Sequence, residues 1–130
     1  NCSVIVSDDE VASPMVETPD VILIMNGPSL DKFEPALRAD GWVFYNTSLI
    51  DREVERDDVN VVKVPANEIA EEVGSARSAN MVMLGAFAKK LGTVDVETLI
   101  ESLDVMLKGK GDSIMDMNRE AMRRGAGLVE

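Results

Sequence analysis

The sequence predicts an α/β domain of three layers, α/β/α, in which a mixed or largely parallel sheet carries helices on both faces. Residues 20–25 are almost continuously apolar, which is typical of strands buried on both faces of a parallel sheet. Residues 79–88 form a predicted helix that is apolar nearly all round, and such a helix must be covered on every side. We therefore expect this helix at the centre of one α/β domain that spans residues 1–130.

Four strands are predicted, and three of them end in polar residues. Residues 3–7 form the first strand and stop at an acidic turn. Residues 20–25 form the second, residues 42–45 the third and residues 60–64 the fourth. Asn and Ser follow the second and third strands, as they do in many turns.

Short helices are predicted after the second and fourth strands. Ser29 is the expected N-cap of a helix over residues 30–37, which is interrupted or restarted at Pro35. Another short helix follows Pro65, and Gly74 closes it because glycine adopts the left-handed cap conformation without a Cβ clash. Asn67 is the expected N-cap of this helix, with a ligand or partner contact as the alternative.

The C-terminal part of the sequence predicts three longer helices. Asn80 lies in the apolar helix, where an unpaired amide would cost about 1–3 kcal/mol. We expect it to be buried and bonded to a neighbouring loop, or to face a ligand or partner. Asp95 is the expected cap of the next helix, whose apolar residues from Val96 to Leu107 share one face. The last helix is predicted over residues 113–124.

Composition excludes several classes of function. The formal net charge is −11, which disfavours nucleic acid and anionic membranes as partners. The sequence has no histidine, and its single cysteine, Cys2, cannot supply the four thiolates of an iron–sulfur cluster. It shows no signal peptide or membrane-spanning stretch, so we expect a cytoplasmic protein. The residues therefore favour a binding or interaction module over a complete catalyst.

The polar residues at the strand ends are the candidate site. In open α/β sheets, ligands bind outside the carboxyl ends of the strands. Three adjacent strand ends would bring uncharged donors and acceptors together there, although each of these residues could instead cap its own turn. The predicted rim, for coenzyme A or for a subunit interface, consists of Asn26, Ser29, Asn46, Ser48 and Asn67.

Four blocks of the chain, in order, resemble the gamma subunit of 2-oxoacid:ferredoxin oxidoreductases. They are residues 1–10 followed by Ser13-Pro14, and residues 25–33, 64–70 and 79–86. The similarity is nearest to the 2-oxoglutarate branch, with pyruvate and branched-chain 2-oxoacid enzymes as alternatives. The resemblance implies a fold like domain III of pyruvate:ferredoxin oxidoreductase. Members of this family open with a strand, a glycine-rich loop and a helix that this sequence lacks, so we expect an N-terminally truncated chain.

The resemblance also implies a function. The family converts a 2-oxoacid and coenzyme A to an acyl-CoA and carbon dioxide, with thiamine diphosphate between the alpha and beta subunits. Electrons leave through iron–sulfur clusters in other subunits. The gamma subunit holds no redox centre, packs against the alpha, beta and ferredoxin-like subunits, and takes part in coenzyme A access. We thus expect no catalytic residue, metal ligand or cofactor in this chain. A free-standing nucleotide or coenzyme A binding domain and a structural adaptor are the alternatives.

Overall fold

The strands form one parallel sheet whose carboxyl ends lie side by side. A computed structural model describes residues 2–13 and 15–129. The sheet has the order β1 (Val21–Ile24), β2 (Trp42–Asn46), β3 (Asn60–Val64). Val21 pairs with Trp42, and Trp42 pairs with Asn60, so the three strands start at the same level. The predicted α/β class is confirmed, and every strand pair among the described residues is parallel.

Five α-helices complete the fold. They are α1 (Gly27–Phe33), α2 (Ala66–Val73), α3 (Ala79–Leu91), α4 (Val96–Met106) and α5 (Asp112–Ala126). Short 3₁₀ turns at Glu34–Ala36 and Ala76–Ser78 follow α1 and precede α3. The first turn begins beside Pro35, so the predicted restart of the helix at this proline is confirmed.

Successive residues of β2 face opposite sides of the sheet, and each side has its own apolar core. Val43 and Tyr45 pack with Leu30 and Leu37 from the α1 segment. Phe44 packs on the other side, in a cluster to which α2, α3 and α5 contribute; the cluster includes Ile69, Ala70, Val82, Met83, Ala86 and Ala121. Helices thus cover both faces, as predicted.

Two glycines allow α3 and α5 to cross in direct backbone contact. A Cβ at Gly85 would lie 2.0 Å from the Met122 carbonyl oxygen, and a Cβ at Gly125 would lie 1.9 Å from the Val82 carbonyl oxygen. No side chain fits at either position without separating the helices. The close crossing holds α5 on the central helix α3, whose Val82, Met83 and Ala86 are buried.

One strand prediction is wrong, and another is wrong in part. Residues 3–7 are not a strand: residues 2–13 are all exposed, with Val4 at 76%. A single strand has no partner for its backbone groups, so an apolar β-rich sequence cannot form one alone. The first block of the resemblance also contains Asn1 and Pro14, which lie outside the described residues. Strand β1 exists but is not buried on both faces, because Ile22 and Ile24 are buried while Leu23, on the opposite face, is 37% exposed.

Two predictions about individual residues in helices also need correction. Asn26, and not Ser29, is the N-cap of α1, since its Oδ1 accepts a hydrogen bond from Ser29 N. Asn80 is exposed and not buried, because it lies on the one outward-facing side of the first turn of α3. Gly74, with φ of 124°, ends α2 as predicted. Asp95 caps α4 as predicted, because its side chain accepts a hydrogen bond from Thr98 N.

We expect Met83→Asp to abolish soluble expression. Met83 is 1% exposed inside the core that joins the sheet to α3 and α5. An unpaired carboxylate there costs several kcal/mol, which is comparable with the stability of a whole domain. Asn80→Asp places the same group on the exposed side of the same helix and is the control. Expression and thermal melting of both variants test this, and a normal melt for Met83→Asp would contradict the buried position of α3.

Candidate functional site

The three strand ends are joined through one buried side chain, that of Asn46. Its Nδ2 donates to the Met25 carbonyl oxygen after β1, at 3.2 Å, and to Asn67 Oδ1 in α2, at 2.7 Å. Its Oδ1 accepts from Ser48 N at 3.2 Å and from Ala66 N, after β3, at 3.1 Å. Asn46 is fully buried. A single amide therefore bonds to the ends of all three strands.

The N-terminus of α2 is capped from the neighbouring strand end. Pro65 occupies its N-cap position and offers no side-chain acceptor. Asn46 Oδ1 binds Ala66 N instead, and Ser48 Oγ accepts from Glu68 N at 3.2 Å. The prediction that Asn67 caps α2 is therefore wrong: Asn67 lies within the first turn of this helix.

The structure brings the five predicted rim residues to one edge of the sheet, and four of them form hydrogen bonds there through their side chains. Asn46, Ser48 and Asn67 share one hydrogen-bond network, and Asn26 follows Met25, whose carbonyl belongs to it. Asn26 Oδ1 receives Ser29 N at 3.0 Å. Ser29 thus joins through its backbone, while its hydroxyl has no partner among the described residues. A role of these residues in binding stays a prediction.

A charged cluster that sequence reasoning missed lies where β2 and β3 end. The buried phenol of Tyr45 donates to Glu53 Oε2 at 3.2 Å, and Lys63 Nζ lies 2.9 Å from the same oxygen. Burial raises the pKa of Tyr45, while the hydrogen bond from Lys63 lowers the pKa of Glu53. The cluster holds the 47–59 connection against the strands. Only the pairing of β2 with β3 reveals it, since Tyr45 and Lys63 are register partners.

Two surface cavities are lined by none of the five predicted rim residues. One runs along β3 beside Trp42, Lys90 and Val129. The other lies beside Glu34, which is 4% exposed and is bonded to the backbone N–H groups of Glu55 and Arg56 and to the side chain of Arg52. All polar atoms of buried side chains in the described residues have hydrogen-bond partners. The Glu34 carboxylate therefore anchors the 51–58 segment and is not free to act on a ligand.

Neither a metal site nor a membrane span is found in the described part of the chain. Residues 2–13 and 15–129 contain no group of three or more His, Cys, Asp or Glu side chains arranged to hold a metal. In the same residues, no helix has the length and apolar character needed to cross a bilayer. Cys2, which is exposed, lies outside the packed core.

Comparison with known proteins points to one family. Residues 1–128 match the family described as pyruvate ferredoxin/flavodoxin oxidoreductase. Ketoisovalerate oxidoreductase subunit VorA of Methanothermobacter marburgensis is 38% identical over 127 residues, which cover 97% of this chain and 26% of VorA. 2-Oxoglutarate synthase subunit KorC of the same organism is 33% identical over 106 residues, which cover 77% of this chain and 57% of KorC.

Solved structures share the fold. The 2-oxoglutarate:ferredoxin oxidoreductase from Magnetococcus marinus, with 2-oxoglutarate, coenzyme A and succinyl-CoA bound, superposes with a TM-score of 0.80 at 25% identity; the match covers 95% of this chain and 22% of that one. The gamma subunit of a keto/oxoacid ferredoxin oxidoreductase from Geobacter sulfurreducens has a TM-score of 0.73 at 22% identity over 83% of this chain and 62% of that one. The chain thus spans about a quarter of VorA and somewhat over half of KorC.

We expect Asn46→Ala to lower the free energy of unfolding strongly. The change leaves the Met25 carbonyl and the Ala66 N–H without their partner, and each buried unpaired group costs about 1–3 kcal/mol. Asn80→Ala removes an amide from an exposed position and should change stability by less than about 0.5 kcal/mol. Urea unfolding of both variants measures the difference. Equal midpoints would show that the Asn46 network does not stabilise the strand ends.

Proposed function

The chain belongs to the pyruvate ferredoxin/flavodoxin oxidoreductase family, and we propose that it is a gamma-subunit domain of a 2-oxoacid:ferredoxin oxidoreductase. The observation that carries the proposal is the family match over residues 1–128 of the 130 residues. The parent complex oxidatively decarboxylates a 2-oxoacid with coenzyme A, giving an acyl-CoA and carbon dioxide. The proposal includes a cytoplasmic complex and residues 1–130 as one domain of the subunit.

Within that complex, the proposed role of this chain is assembly and access of coenzyme A, without redox chemistry of its own. One exposed cysteine and no histidine cannot provide the ligands of an iron–sulfur cluster. The residues present therefore do not fit such a cluster. We assign the clusters and thiamine diphosphate to the alpha, beta and ferredoxin-like subunits. The neutral donors at the strand ends do fit coenzyme A, which is rich in amide carbonyl and phosphate oxygens.

Three 2-oxoacids are candidates for the substrate of the complex: 2-oxoglutarate, a branched-chain 2-oxoacid and pyruvate. The four resembling blocks favour the 2-oxoglutarate branch. The 38% identity to two ketoisovalerate oxidoreductase subunits exceeds the 30–33% identity to three 2-oxoglutarate synthase subunits, and this favours a branched-chain 2-oxoacid. A free-standing binding domain or adaptor is disfavoured, because the similar segment of VorA is only 26% of a longer chain.

We expect an affinity tag on this chain, in its natural host, to co-purify a complex that reduces ferredoxin in the presence of coenzyme A and a 2-oxoacid. Rates with 2-oxoglutarate, ketoisovalerate and pyruvate, measured side by side, identify the substrate. Deletion of the gene should abolish ferredoxin reduction with coenzyme A and that 2-oxoacid in the host, and a plasmid copy of the gene should restore it. A tagged chain that purifies alone, with oxidoreductase activities unchanged in the deletion strain, would contradict the proposal.

We also expect the chain, purified by itself, to bind no iron and to have no oxidoreductase activity. The reason is the ligand set, which contains one cysteine and no histidine. Absorbance between about 380 and 420 nm, where iron–sulfur clusters absorb, and metal analysis of the purified protein check the first part. The assembled complex from the tagging experiment is the positive control. Stoichiometric iron in the isolated chain would contradict this prediction.

A further inference from the structure

Strand β3 leaves one row of its backbone groups open. Asn60 N donates to the residue just before β2, and the Val64 carbonyl oxygen accepts from the residue just after it. Val62 lies between them in the register and also faces β2. Successive residues of a strand direct their backbone groups to opposite sides, so Val61 and Lys63 face away from β2. Their N–H and C=O groups form no hydrogen bond with any other described residue.

The features that usually protect an open edge are weak in β3. Natural edge strands are often very short, or carry proline, a bulge or a lysine that extends into solvent. Strand β3 has five residues, contains no proline, and each residue has its own register partner in β2. Its one lysine, Lys63, is held on the α1 face of the sheet, where Nζ lies 2.9 Å from Glu53 Oε2. The edge is therefore open to pairing with a further strand.

An apolar groove runs beside this edge. It is lined by side chains of β2 and β3, of the end of α3 and of the residues after α5. Val61 and Leu128 are 41% and 46% exposed, and Trp42 is half-buried. Val61 lies on the α1 face of the sheet and Trp42 on the opposite face. Because side chains alternate between the two faces along a strand, an added apolar strand would cover both surfaces.

The groove also contains a cation that no carboxylate neutralises. Lys90 forms no ion pair within the described residues, and its Nζ lies 5.8 Å from the centroid of the Trp42 ring. The described residues that line the groove include no Asp or Glu. A second copy of the chain, paired through the same edge, would bring another Lys90 and no carboxylate from its groove. The charge therefore favours a different and acidic partner.

We propose that the edge of β3 pairs with an extended segment of a partner subunit, which carries apolar side chains and a carboxylate for Lys90. This inference rests on the proposed function, which places the chain in a complex. The main chain of the partner segment bonds to the outward groups of Val61 and Lys63. Its apolar side chains cover Val61, Leu128 and Trp42. In such strand addition, main-chain hydrogen bonds supply affinity and the side-chain contacts supply specificity.

Val61→Pro in the affinity-tagged chain tests the main-chain pairing. Proline removes an N–H that faces away from β2, so the bonds between β2 and β3 remain, and edge strands tolerate proline. We expect the recovery of partner subunits with the tagged chain to fall about tenfold, because one hydrogen bond is lost and the ring obstructs the added strand. Val61→Thr keeps the branched shape and the N–H, and it should recover the partners as the wild type does.

Lys90→Glu tests the charge of the partner segment. Lys89→Glu is the matched control, because it makes the same change on an adjacent exposed residue that does not line the groove. We expect Lys90→Glu to reduce the recovery of partner subunits and Lys89→Glu to leave it unchanged. Equal recovery with the two variants overturns the inference.

Hydrogen exchange in the wild-type complex gives a measurement that needs no variant, and it decides if Val61→Pro does not fold. The Val62 amide bonds to β2, and the Val61 and Lys63 amides bond to the partner segment in this proposal. All three should exchange slowly in the complex. Fast exchange at Val61 and Lys63 beside slow exchange at Val62 means that the edge is open in the complex, and it overturns the inference.

A second copy of the chain, or the strand-like residues 3–7 of the same chain, are the other possible occupants of the edge. With either of them, the Val61 and Lys63 amides are protected while Val61→Pro keeps its partner subunits, and this result also overturns the inference. Failure of the proposed function has a different signature, since the wild-type tagged chain then recovers no subunits of a 2-oxoacid oxidoreductase.

Discussion

The strand ends of this domain depend on the hydrogen bonds of one buried amide. Parallel strands are not joined by hairpins. Their carboxyl ends, outside which ligands bind in open α/β sheets, must therefore be held together by side chains or by the helices that follow. Asn46 meets this need by bonding to the Met25 carbonyl, to Ser48 N, to Ala66 N and to Asn67. Asparagine suits the position because a donor and an acceptor are needed a few ångströms apart. Aspartate would lack the donor, and leucine would lack both.

The same constraint determines the polarity of the surface above Asn46. The backbone groups that fix Asn46 also decide which end of the Asn67 amide faces outward. The polarity of the surface is therefore a consequence of the packing beneath it and not of a separate adaptation. On the far side of this layer, the glycine-mediated crossing of α3 and α5 supports the core on which α2 rests. Small residues at that crossing keep α3 and α5 in direct backbone contact.

Local patterns in the sequence predicted the parts of the fold that local physics determines. The apolar runs gave β2, β3 and the buried faces of α3, and Asp95 marked the start of α4. Long-range pairing decided the rest. Residues 3–7 have a strand composition, but no described strand pairs with them. Asn67 looks like a helix cap, yet the caps of α2 come from a different strand end, 20 residues earlier in the chain. A proline at the N-cap was the one local sign that the acceptors had to come from elsewhere.

The distribution of charge explains why neutral groups carry the proposed contact. The chain has 24 acidic and 13 basic residues, and two cations beside the ends of β2 and β3, Arg52 and Lys63, are already paired. Arg52 binds Asp31 and Glu34, and Lys63 binds Glu53. A ligand that approached the strand ends would therefore meet no unpaired positive charge in these groups, while the acidic surface would repel its phosphates. Amide and hydroxyl donors avoid this difficulty, because they bind carbonyl oxygens without a net charge.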